Sequence, residues 1–141
     1  MDRGALDAAR DRGLPLGGWC PKGRLAEDGP IDPSYPLIET DTSDYAQRTL
    51  ANVRDSDATL VLAWGEPTGG TAYTIACANA LMRPCLVIQS PARDHIPRTA
   101  EWLEGSTVSV LNVAGPREST QPGARDATYK FICWLLDALV S

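Results

Sequence analysis

The stretch GEPTGGTAY, Gly65 to Tyr73, sets two adjacent glycines between threonines just after the apolar run TLVLAW. Residues of these types at this spacing can cradle an oxyanion. Gly69 and Gly70 let the main chain turn sharply and approach a ligand with no Cβ in the way. Thr68 and Thr71 add hydroxyl donors. A helix starting here would aim its unpaired N–H groups and the positive end of its dipole at the same point. A phosphate is the simplest ligand for that set. The plainer use is a tight turn in which Thr71 caps the helix. No Gly-Lys-Ser/Thr follows the glycines, so the stretch is not a Walker A loop.

A second constellation is GGWCPKGRLAEDGPI, Gly17 to Ile31. It holds glycines, an indole, a thiol, cations and carboxylates in one loop. Long irregular loops on compact domains carry function more often than not. Gly18, Trp19, Lys22, Gly23 and Arg24 join the candidate binding residues. Lys22 and Arg24 can meet a polyanion, the arginine in bidentate fashion. Trp19 can stack on a planar ring. The plainer use of Lys22 and Arg24 is solvated charge paired with Glu27 and Asp28. Cys20 beside these cations would have a lowered pKa, but no histidine lies near it in sequence to act as its base. Asp55, Ser56 and Asp57 follow a helix pattern and precede a strand. Local turn bonding explains Asp57, while Asn52 and Asp55 stay undecided. His95, before Ile96 and Pro97, reads as a surface residue at a helix start.

These candidates need elements to position them. ALDAARDRG, Ala5 to Gly13, predicts a helix stopped by its glycine. Leu37 to Glu39 predicts a short strand. Ser43 to Arg54 predicts a helix with Ala46, Thr49, Leu50 and Val53 on one face and Thr42 or Ser43 as cap. Thr59 to Trp64, Cys85 to Gln89 and Val108 to Val113 are apolar without alternation, the pattern of strands covered on both faces. Between and after them come helices at about Gly70 to Met82, around Ile96, Ala100 and Leu103 with a stop at Gly105, and at Ala124 to Val140. The last buries Thr128, Phe131, Leu135 and Leu139. Helices alternating with apolar strands predict an α/β domain, Rossmann-like with three layers and a mostly parallel sheet, over residues 1–141. Ligands of such sheets bind beyond the C-terminal ends of the strands, where Thr-Gly-Gly-Thr stands.

The bulk composition limits the partners. The chain has 141 residues, 43% hydrophobic and 22% charged, with a net charge of −5. An acidic chain is a poor partner for nucleic acid. There are four cysteines, none at CxxC spacing, and a single histidine, so no zinc site and no bound metal is expected. Cys77, Cys85 and Cys133 read as buried thiols. No apolar run is long enough for a membrane span, and a cytoplasmic setting is expected.

Together, ALDAA, GGWCPKGR, YPLIET, DYAQRTLANVRDSDATLVL, TGGT and PCLVI resemble the molybdenum carrier family, the circularly permuted branch of the SLOG superfamily of Rossmann-like domains. The likeness spans nearly the whole chain, most closely Asp2 to Ile88. Family members usually carry a strand and a loop like SGGQTGVDRAALDAA. The resemblance therefore implies that this chain begins after that strand and glycine-rich loop, leaving Asp2, Arg3 and Gly4 as the remnant of an anion site. It implies a cytoplasmic, homo-oligomeric protein that binds a phosphorylated small molecule, the molybdenum cofactor or a nucleotide, without turnover. The wider superfamily includes phosphoribohydrolases resembling PGGxGTxxE. Here Thr74 stands where their glutamate would, which removes the expected catalytic carboxylate. A nucleotide-processing N-glycosidase would need Glu27, Glu39 or Glu66 instead. A nucleotide-sensing module is the remaining alternative.

Overall fold

The computed structural model describes residues 3–20, 22–26, 29–42 and 44–139. At its centre lies β5, Ala58–Leu62, whose five residues are all buried. It is flanked by β6, Cys85–Ile88, and β7, Leu111–Ala114, in the order β6-β5-β7. Both pairings are parallel, with Thr59 beside Cys85 and beside Asn112. A two-residue parallel pair, β1 (Trp19–Cys20) with β4 (Ile38–Glu39), and a small antiparallel pair, β2 (Leu25–Ala26) with β3 (Gly29–Pro30), complete the strands.

Helices cover both faces of the central sheet. On one side α1 (Arg3–Asp11), α4 (Ile96–Ser106) and α5 (Ala124–Leu139) pack together. Leu60 and Leu62 of β5 meet Phe131, Leu135, Ala8, Ile96 and Leu103 there, and Phe131 is wholly buried. Alternation along β5 turns Thr59 and Val61 to the other face. There α2 (Tyr45–Arg54) and α3 (Gly69–Ala80) pack through Val53, Cys77 and Ala78. The small residues of α3 allow this close approach. The result is the three-layer α/β arrangement with a parallel sheet.

Several local expectations are corrected. The cap of α2 is Asp44, whose carboxylate accepts from Ala46 N, while the Thr42 hydroxyl accepts from Asp44 N; Ser43 lies outside the described residues. The inner face of α2 carries Asn52 rather than Leu50, which is exposed. Helix α4 runs through Gly105 and ends at Thr107, which adopts the left-handed conformation with φ 51°. Strand β7 starts at Leu111, not Val108. The Asp57 carboxylate accepts from Ser109 N at 3.0 Å and Val110 N at 2.8 Å, so those N–H groups are tied to a side chain, while Val110 O accepts from Asp57 N at 2.8 Å. Asp57 thus bonds the chain entering β7 and not its own turn. Strand β6 lies on the sheet's edge and is only half-buried through Cys85, Leu86 and Val87.

Candidate anion-binding cleft

The cleft opens where β5 ends. Ala63 N donates to Ile88 O at 2.8 Å and Gly65 N to Gln89 O at 3.1 Å, which carries the sheet's register into the turn. Gly65 and Gly69 have φ of 86° and 55°, values that favour glycine. Thr68 occupies the N-cap position of α3 in an extended conformation, yet its hydroxyl makes no capping bond. The first turn of α3 therefore lacks a side-chain cap, and a bound anion would complete it. Thr71 is buried, and Thr74 gives its hydroxyl to Gly70 O at 3.0 Å.

Facing this turn across a cleft of about 750 Å³ is a group of arginines. Arg48 of α2 is half-buried, and its Nε is buried with no hydrogen-bond partner. Among the described residues no carboxylate pairs with it. Burial pulls its pKa below the usual arginine value, and neighbouring Arg117 pushes it the same way. The two guanidiniums lie over one ring, Arg48 at 5.6 Å and Arg117 at 4.9 Å from the centre of Tyr45. Two like charges on one aromatic, with no carboxylate paired to either among the described residues, favour an anion between or beside them. Arg125 and Arg3 also line the cleft. Arg125 is held by Asp7 at 2.8 Å. Glu118 is occupied at the start of α5, where its carboxylate accepts from Gly123 N and Arg125 N. A chain of net charge −5 thus gathers arginines around one cavity.

The WCPKGR loop plays a different part. Trp19 lines the cleft. Asn52 uses its amide as a strand would, accepting from Trp19 N at 2.8 Å and donating to Trp19 O at 3.3 Å. Asp55 accepts from the indole Nε1 at 2.7 Å, and Arg54 lies 6.0 Å over the ring. Asn52 and Asp55 are therefore the residues that fix Trp19. Arg24 turns away from the cleft: it donates to the carbonyls of Leu37, Asp32 and Tyr35 and holds the loop together, at a left-handed φ of 54°. Lys22 is exposed, and Gly23 N donates to Glu39 at 2.8 Å. Neither these residues nor Gly18 line the cleft. Burial pushes the Cys20 thiol up, against the lowering expected from nearby cations. Cys20 as a whole is 1% exposed.

Of the residues named from sequence, Thr68, Gly69, Gly70, Thr71, Trp19 and Arg3 share the cavity, as do Cys20, Asn52 and Thr74. Asp2 and Glu27 lie outside the described residues. Of the remaining carboxylate suspects, Glu66 lines the cleft and Glu39 does not. Sequence reasoning missed Arg48, Tyr45, Arg117 and Asn112. An arginine and a tyrosine three apart on a helix pattern, in DYAQRT, were the available signal.

Residues 1–136 match the model of the circularly permutated YpsA SLOG family. The chain belongs to that family. The crystal structure of a protein described as a "putative molybdenum carrier protein", from Syntrophus aciditrophicus, is 41% identical to this SLOG chain. The match covers 99% of this chain and 87% of that one, with a TM-score of 0.86. No curated protein matches. Among the described residues this SLOG domain has no helix long and apolar enough to cross a membrane.

Proposed function

We propose that this chain is a noncatalytic binding protein for a phosphorylated, nucleotide-like heterocycle, with the phosphate between the first turn of α3 and the guanidiniums of Arg48 and Arg117. The observation that carries this reading is Arg48: a half-buried cation with an unpartnered Nε and without a carboxylate among the described residues, in a cleft shared with an uncapped helix start. Leaving a buried charge uncompensated is costly, and a ligand anion removes the cost. The molybdenum cofactor, a phosphorylated pterin, is the first candidate because of the 41% identical relative's description. The cleft would grip it by its phosphate. Cys20 also lines the cleft, but it is 1% exposed and would be a single soft ligand.

Native mass spectrometry of the chain with and without AMP or molybdenum cofactor tests the proposal. We expect an intact ligand mass that is retained by the wild type and weakened at least about tenfold in Arg48→Met. Release of a base from AMP, abolished by Glu66→Ala, would replace this reading with the nucleotide-processing one.

A further inference from the structure

Asn112 projects from β7 beside Thr59, on the sheet face that α2 and α3 cover. It is 4% exposed, donates its Nδ2 to Thr59 Oγ1 at 3.3 Å, and leaves Oδ1 buried with no partner. A buried acceptor without a partner costs about 1–3 kcal/mol in general, so such an atom calls for an explanation. Asn112 also lines the cleft, together with Arg48 and the Gly69–Gly70 turn. The cavity is therefore lined by cationic groups suited to an anion and, separately, by the residue that carries this unmet acceptor, suited to a donor. A free phosphate satisfies the first and not the second. A phosphorylated heterocycle with an amino or lactam N–H on its ring can satisfy both.

We propose that Asn112 Oδ1 accepts a hydrogen bond from a ring-borne N–H of the ligand and so selects purine- or pterin-like phosphates with such an edge over those without one. This rests on the reading of the cleft as a phosphate site and adds what distinguishes one phosphorylated ligand from another. Sites built to bond a ligand N–H reject analogues that lack it, because the protein acceptor is then left unpaired.

The test compares three probes by calorimetry: AMP, which carries a 6-amino group; purine riboside 5′-monophosphate, which has no N–H on its ring; and ribose 5-phosphate. The wild type is expected to bind AMP about tenfold or more tighter than purine riboside 5′-monophosphate. Asn112→Leu and Asn112→Thr should erase that preference, with a cooperative thermal transition reporting that each variant is folded. The comparison of probes on the wild type needs no variant to fold. Equal affinities for the two purine ligands, with all binding weakened in Arg48→Met, would overturn the role of Asn112 and leave the phosphate site standing. Binding by none of the probes, or binding indifferent to Arg48→Met, would remove both.

Discussion

Arg48 illustrates how one residue can be set for ligand at the expense of the empty fold. Its guanidinium is half-stripped of water, and a second arginine, Arg117, lies over the same Tyr45 ring. Replacing such a group with an apolar one of similar length is often neutral or stabilising. We therefore expect Arg48→Met to leave the melting temperature of the ligand-free protein unchanged or higher, read by calorimetry, while it weakens anion binding. A lower melting temperature would mean that Arg48 serves the fold. Gly69 is constrained differently. A Cβ there would meet nothing within 4 Å, but φ is 55°. Gly69→Ala should cost about 1–2 kcal/mol in urea unfolding through the left-handed backbone alone.

At the scale of elements, the helix α5 is the anchor. It packs against α1 and α4, and its Phe131, wholly buried, meets both the sheet and these helices. Phe131→Ala should destabilise by about 3–5 kcal/mol in denaturant unfolding. A loss below about 1 kcal/mol would contradict the packing described. The rim of the α1–α5 contact is polar. Asp7 joins Arg125 and the Tyr35 hydroxyl, Arg12 pairs with Asp137, and Tyr129 donates to Asp11. Helix α2 has two tasks. One face of it packs on α3, while Asn52 and Asp55 hold Trp19 at the cleft and Arg48 enters the cavity.

For the molecule as a whole, charge decides the response to pH. Burial alone would raise the pKa of Asp7, but hydrogen bonds from Tyr35 and Arg125 outweigh it and hold the carboxyl below its usual 3.8. The Arg54 and Trp19 hydrogen bonds lower Asp55, and the backbone N–H groups of Val110 and Ser109 lower Asp57. A depressed folded-state pKa contributes stability that is fully present above the unfolded value and is lost as pH falls through the folded one. Unfolding midpoints should therefore be flat with respect to these groups above about pH 5 and fall below about pH 4. Asp7→Asn should flatten part of that fall. An equally steep acid limb in Asp7→Asn would show that Asp7 is not among its causes.

Much of this protein was readable in one dimension. After Thr59 the run LVLAW is apolar on every residue, and a strand covered on both faces makes use of that, so the parallel α/β class follows from pattern, although PCLVI with the same pattern became a half-buried edge strand. The Thr-Gly-Gly-Thr junction was legible for a similar reason: glycine and threonine at a strand-to-helix turn describe local backbone geometry. Arg48, Arg117 and Asn112 were not legible, because their meaning lies in what they lack. An arginine in DYAQRT looks like any solvated charge until the fold half-buries it beside a second arginine, with no carboxylate paired to it among the described residues. An asparagine in a strand looks incidental until its carbonyl is found buried and unpartnered. The same holds in reverse for Arg24, whose sequence neighbours suggested an anion while the folded loop turns it onto three of its own carbonyls. Covalent neighbours set secondary structure, but burial and charge compensation are sums over residues far apart in the chain, and those only the tertiary structure decided.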